Sequence, residues 1–464
     1  MTTMGDRFDT IIIGAGISGL ATAHWLRKDG HRILVLEKDH QPGGTMKSIR
    51  EDGYLIETGP NSALETTPLF RELVNDCGLN DEMVYADPVG KNRFIVRNGI
   101  LHALPMSPPA FLSTRLFSWR GKLRLFAEPF IGRAEREESI AEFVTRRIGP
   151  EFLDYAIDPF VAGIFAGKPE ELSVRAAFPK LYALEERYGG LIRGMIGGAR
   201  ERRKRAEKAK DRAESFSFRS GMQTLPAALG GQLGESLRLS SPVRSIEHTG
   251  NGYSVTYGNG DTHETVRARS VVLAVPAYAA AHLLAPFSES TAAMLRSVVY
   301  SPVASVFLGY ERKDIDHPLD GFGILVPRKE GRRILGTLWS SSLFDGRAPH
   351  QHAAFTVFVG GARQPEHLEG DDTHLLGLCE TELSSIMHIL GKPVYYRITR
   401  WEKAIPQYTL GYSRITDALA SFHAGQPGVT LCSNYLGGIS VGDCVMSART
   451  TADSIGSYLR SSAS

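Results

Sequence analysis

DTIIIGAGISG, residues 9–19, decides the fold. Residues 9–13 form a short β-branched apolar run of the kind that makes a buried parallel strand. Gly14, Gly16 and Gly19 follow in G-x-G-x-x-G spacing, and residues 20–28 read as a helix. The first glycine permits a tight turn, the second lets backbone approach a pyrophosphate, and the third lets helix and strand pack closely. The helix amino terminus adds N–H donors and the positive end of a dipole. A second strand at 33–36 ends at Glu37, about twenty residues past the first glycine, where a carboxylate suits ribose hydroxyls. Strand, turn, helix, strand and acid together predict a Rossmann-type dinucleotide site.

With 464 residues the chain exceeds what one core usually serves, so two or three domains are expected. Lys and Arg total 53 against 51 Asp and Glu, a balance that gives no reason to expect nucleic acid as a partner. Cys77, Cys379, Cys432 and Cys444 show neither a C-x-x-C pair nor metal-ligand spacing, which fits a reducing compartment and no metal. The amino terminus carries no apolar signal core, and the longest uncharged stretch, 271–288, contains two prolines, a poor spanning helix. A cytoplasmic protein is expected.

Further motifs follow in order. Gln41-Pro42-Gly43-Gly44-Thr45 places paired glycines near the nucleotide site, either as a turn or as a second cofactor contact. Residues 53–68 read as a strand, a turn through Glu57, Gly59, Pro60 and Asn61, and then a helix from Pro68. Residues 91–104 form a hairpin with Asn98-Gly99 as its turn, and Arg93 and Arg97 lie an even number apart on it. From 105 to 214 the texture is helical, with aromatic residues beside Arg and Lys. Facing inward these would be core, and facing outward an interfacial surface. The basic run at 200–214 reads as a solvated helix or linker. Strands return near 218, residues 301–361 alternate strands with turns as a largely antiparallel sheet, 371–388 is an amphipathic helix, and 394–401 and 429–432 are strands. A glycine-rich start then leads into a terminal helix.

The glycine fingerprint, Glu37 and the GG doublet resemble the FAD-containing amine-oxidase superfamily. The GPNS run at 59–62, the FAG run at 165–167 and the IPQY run at 405–408 narrow the resemblance to the protoporphyrinogen oxidases. It implies an α/β fold: a Rossmann-type FAD-binding domain with a mixed-sheet substrate domain and an inserted helical domain. The expected segments are 1–90, 215–280 and 391–464 for FAD, 91–104 and 281–390 for substrate, and 105–214 for a helical domain that meets a membrane. The implied FAD contacts are Gly14, Gly16, Ser18, Gly19, Glu37, Lys38, Gly43, Gly44, Thr45, Gly59, Pro60, Asn61, Val243, Ala274, Trp401, Val441, Gly442 and Asp443. Implied tetrapyrrole contacts are Arg93, as a partner for a propionate, and Gly163, Leu325, Leu338 and Phe358 around the macrocycle. The implied reaction removes six electrons from protoporphyrinogen IX, with oxygen as acceptor. The alternatives are coproporphyrinogen III oxidation or a scaffold that binds flavin and porphyrin without turnover. No residue is assigned as catalytic base. Peripheral attachment to the inner face of the cell membrane is expected, and a homodimer stays open.

Overall fold

Short runs of β-branched and leucine residues bury both faces of a strand, and such strands stack in parallel where helices can cover both sides. In the computed structural model, which describes residues 7–197, 213–260 and 262–462, Leu237–Arg238, Ile33–Leu36, Arg7–Ile13 and Glu264–Leu273 lie parallel in that order. Val429–Leu431 pairs parallel with the second half of Glu264–Leu273, while Gly252–Tyr257 and Val243–Thr249 extend antiparallel from its first half. Side chains alternate between two cores. Ile12, Val35 and Val272 face helices Ile17–Lys28 and Val441–Ser461, whereas Ile11, Ile13, Leu34 and Leu273 face Ala277–Leu284 and Ser413–Gly425. From Arg7–Ile13 the chain leaves to one side, and Glu264–Leu273 sits on the other. That switch point at the carboxyl ends of the strands is where such sheets bind ligands.

A second sheet runs Tyr395–Pro406, Tyr300–Glu311, His352–Gly360, Ile334–Leu338, Gly323–Leu325, Phe94–Arg97, Ile100–Ala103. It is antiparallel except where Gly323–Leu325 meets Phe94–Arg97. Asn98 and Gly99 turn the final hairpin with φ of 53° and 74°, the conformation an Asn-Gly turn requires. One face of this sheet packs Val306, Leu308, Phe355 and Val357 against Leu375, Leu378 and Leu383 of the helix Asp372–Met387. Asp371 caps that helix by accepting from His374 N.

Between the hairpin and residue 197 the chain is helical, including Ile140–Arg147, a π-helical turn at Leu153–Ile157 and Asp158–Phe165. Of the basic run at 200–214, all but the last two residues lie outside the described residues. One expected boundary needs correction. Residues 395–406, assigned from sequence to the FAD segments, form an edge strand of the second sheet, because Tyr395–Pro406 pairs with Tyr300–Glu311 along its length.

Candidate active site

The first glycine loop is built tightly. Gly14 has φ of +101°, and a Cβ there would come 2.5 Å from Ala274 O; Ala274 N in turn donates to Ile13 O at 2.8 Å. A Cβ on Gly19 would lie 2.0 Å from Gly14 O, so only glycine lets the helix approach the strand this closely. Gly16 differs, since a Cβ there meets nothing within 4 Å. It is also the amino cap of Ile17–Lys28, which has no side-chain cap and no acid in its first turn. An uncapped helix end on open space offers N–H groups to an anion. The GG doublet closes the same edge, where Gly43 N donates to Ala15 O at 2.8 Å. A Cβ on Gly44 would sit 3.3 Å from the Gly16 Cα. Ser18 is buried in the first helical turn and Lys38 extends into solvent, 3.7 Å from Asp39.

Glu37 ties this edge together by accepting from Ala15 N at 2.6 Å and Asp39 N at 2.9 Å. A carboxylate has about four lone-pair sites, so each oxygen keeps capacity for a hydroxyl. Ser241 N donates to Glu37 O at 2.7 Å, which brings Val243, at the start of its strand, alongside. A Cβ on Gly59 would collide with Thr45 O at 2.0 Å, placing Thr45, Gly59 and Pro60 at the same edge. At the last helix the glycine and acid have local roles. Gly442 packs under Thr66 and Phe70, where a Cβ would lie 2.8 Å from Thr66 Oγ1. The Asp443 carboxylate accepts from the Ser440 hydroxyl at 2.6 Å, within the turn that caps the helix at Val441.

The second sheet supplies an apolar wall. Phe358 pairs with Gly336, Gly336 with Leu325, and Leu325 with Ile95. Directly paired residues share a face, and so do residues two apart, so Phe358, Leu325, Leu338, Arg93 and Arg97 all project from one side. Leu325, Leu338 and Phe358 are only half-buried in strands that are otherwise almost wholly buried. Helix Asp158–Phe165 crosses this face, with Gly163 so near that its Cβ would lie 2.7 Å from Leu325 Cδ2. Its amino end is pinned by a buried pair, Asp158 with Arg363 at 2.5 Å. Burial raises the Asp158 carboxyl above its usual value while Arg363 pulls it back.

Trp401 and Thr356 lie on this same face, and both join it to the glycine-rich edge. Trp401 Nε1 donates to Thr58 O at 2.8 Å, and the Thr356 hydroxyl donates to Asn61 Oδ1 at 3.3 Å. Two sets of residues far apart in sequence thus meet along one cleft. Arg93 lies half-buried at its rim with its guanidinium carbon 5.0 Å from the Phe322 ring centre. Burial alone lowers its pKa, and among the described residues no carboxylate pairs with it. The described residues contain no cluster of His, Cys, Asp or Glu suited to a metal. The sequence reasoning missed the cross-links Trp401–Thr58 and Thr356–Asn61, which no local spacing announces.

A model of the family described as flavin containing amine oxidoreductase matches residues 17–456. The chain belongs to that family. Its relatives include the chloroplastic protoporphyrinogen oxidase of Nicotiana tabacum, 34% identical over 473 residues that cover 97% of this chain and 86% of the relative. The coproporphyrinogen III oxidase of Bacillus subtilis is 28% identical over 468 residues, covering 97% and 98%. Among solved structures, a candidate protoporphyrinogen oxidase from Exiguobacterium sp. 255-15 superposes with a TM-score of 0.80 at 25% identity, covering 98% of this chain and 99% of that one. Reduced UDP-galactopyranose mutase shares the fold with a TM-score of 0.74 at 17% identity, covering 97% and 95%. As a member of the amine oxidoreductase family, the chain is an FAD-dependent oxidoreductase. The uncapped helix end at Gly16, the open space before it and the adjoining Glu37 fit a dinucleotide of this kind.

Proposed function

We propose that this chain oxidises protoporphyrinogen IX to protoporphyrin IX in haem or chlorophyll biosynthesis, a six-electron removal with oxygen as acceptor. The observation that carries the reading is the half-buried wall of Leu325, Leu338 and Phe358, opposed by Gly163, with the unpaired Arg93 guanidinium at its rim. A flat apolar macrocycle with acidic side chains is the complement of such a cleft. When bound, FAD supplies the electron-accepting chemistry. Gly14, Gly16, Gly19, Glu37, Gly43 and Gly44 would hold its diphosphate and ribose, with Gly59, Asn61 and Trp401 between it and the substrate wall. The chain's own part is to hold one edge of the macrocycle through Arg93 and to exclude water with the apolar wall, which Gly163 completes by letting its helix pack closely on Leu325.

Identity favours this substrate over coproporphyrinogen III, 34% to the tobacco enzyme against 28% to the Bacillus one. Among the described residues, Arg93 and Arg97 are the arginines placed beside the substrate wall, a number that suits two propionates, whereas four call for a more basic rim. No helix among the described residues is long and apolar enough to cross a membrane. Trp119, Phe126 and Phe130, exposed by 66%, 73% and 84%, lie near the exposed Arg120 and support docking on an anionic bilayer surface. The test supplies protoporphyrinogen IX and coproporphyrinogen III separately to the yellow protein, following porphyrin fluorescence and peroxide release. Faster turnover of the first supports the proposal. Preference for the second transfers the enzyme to the coproporphyrin branch, and bound flavin with neither turned over makes it a scaffold.

A further inference from the structure

Arg93 accounts for one acidic side chain of a macrocycle that carries two, and the same face holds a second guanidinium. Ile95 pairs with Leu325, so Arg97, two residues on, projects beside the substrate wall as Arg93 does. Along an extended strand their Cα atoms are about 13 Å apart, a span that two arginine side chains reaching inward narrow to the separation of neighbouring acid arms. Arg97 is also presented rigidly. Its guanidinium carbon stacks 4.3 Å from the centre of the Tyr155 ring, and Tyr155 belongs to the apolar cluster that includes Ile95 and Leu325.

Arg97 is paired with Glu151 at 2.8 Å and also donates to Leu116 O, both through Nη1. Its Nη2 and Nε retain donors. Glu151 has other partners of its own, accepting from Ser118 N at 2.9 Å and the Ser118 hydroxyl at 2.7 Å. It can therefore release Arg97 without becoming an orphaned charge. The pair is one rung of a series. Glu151, Asp154 and Asp158, on either side of and within the π-helical turn Leu153–Ile157, reach Arg97, Lys329 at 2.7 Å and Arg363 at 2.5 Å. Asp158–Arg363 is buried, while the other two rungs reach solvent. The buried rung suits a fixed pivot and the outer ones suit exchange.

The geometry points to Arg97 as a second carboxylate receptor, held in reserve by Glu151 and handed to an acidic arm of the macrocycle when it enters. This rests on the porphyrinogen reading above for the ligand class, and its test is binding, so that it does not depend on turnover. Protoporphyrin IX and its dimethyl ester are titrated separately against flavin-loaded wild type, Arg97→Gln, Arg97→Lys and Glu151→Gln, with porphyrin fluorescence as the signal. Arg97→Gln is expected to raise the Kd of the diacid about tenfold and to leave the ester within twofold, with partial recovery in Arg97→Lys. Glu151→Gln, which frees the guanidinium, is expected to tighten the diacid severalfold. Diacid affinity that is the same in wild type, Arg97→Gln and Glu151→Gln overturns the inference, as does equal weakening of diacid and ester by Arg97→Gln. A wild type that discriminates diacid from ester but oxidises neither porphyrinogen would remove the proposed activity and leave the receptor standing.

Discussion

Arg93→Met separates what this residue does for the ligand from what it does for the fold. The guanidinium rests against Phe322 with no carboxylate partner among the described residues, and burial lowers its pKa. Methionine keeps the unbranched stem against Phe322, so what is lost is a cation–π contact of roughly 0.5–1 kcal/mol. What is gained is relief from desolvating an unpaired charge. The two are of opposite sign, and the melting temperature should move by no more than a few degrees in either direction. Substrate binding should respond differently. A hydrogen bond to a charged group contributes roughly 1.5–3 kcal/mol, and at about 1.4 kcal/mol per factor of ten this is a roughly 10- to 150-fold rise in KM. Because the carboxylate lies away from the reacting carbons, ground state and transition state lose the contact equally, and kcat should change little. Steady-state porphyrin fluorescence with a parallel melt followed by flavin release reads both quantities. An unchanged KM would remove Arg93 from the substrate site. A large fall in melting temperature would mean that the arginine is part of the scaffold instead.

Gly16→Val projects into open space and should give a folded but colourless protein, whereas Gly19→Val collides with Gly14 O and should lose the fold; circular dichroism and visible flavin absorbance distinguish them. His388 is exposed at the end of Asp372–Met387 with φ of 52°, so His388→Gly should stabilise the protein by about 0.5–1 kcal/mol in a urea titration; a lower midpoint would contradict this. Burial pushes the Glu185 carboxyl up, but bonds from Arg147 and Arg146 outweigh it and hold the pKa below the usual 4.5. Its contribution is therefore complete above that value and fades as pH falls through the folded pKa. The stability gap between wild type and Glu185→Gln should narrow on acidification, and a gap independent of pH would refute the assignment. Replacing Phe126 and Phe130 by serine should abolish sedimentation with anionic vesicles at low salt; retention of binding would exclude this surface as the docking face.

The parts of the molecule visible in its sequence are those whose cause is local. Glycine spacing, a two-residue period and an Asn-Gly turn each act within a few residues, so the first strand, its helix, the Phe94–Arg97 hairpin and the helix Asp372–Met387 were all legible. Strand identity did not extend to strand partnership. Tyr395–Pro406 reads as a strand either way, and only its pairing with Tyr300–Glu311 assigns it to the second sheet. The site shows the same division. Leu325, Leu338 and Phe358 could be named from the family resemblance, but their common face depends on a register carried across three strands through Gly336. Gly442 and Asp443 were legible as part of a glycine-rich helix start, while the packing of Gly442 under Thr66 and Phe70 and the bond from Ser440 to Asp443 appear only in the fold.

The acidic series Glu151, Asp154 and Asp158 was hidden for a more specific reason. Its spacing of three and then four is what any solvated helix face displays, so the sequence offers nothing to mark it as an interface. The face meets the second sheet where the π-helical turn runs into helix Asp158–Phe165, with Arg97 arriving from a strand and Lys329 and Arg363 from turns that follow other strands. An isolated charge pair across such a seam adds little where solvent reaches it. Three in a row tie the segment that carries helix Asp158–Phe165 to the second sheet, where Gly163 packs directly against Leu325. A substrate acid that competes for Arg97 would loosen the outer end of the seam while Asp158–Arg363 keeps the inner end in place.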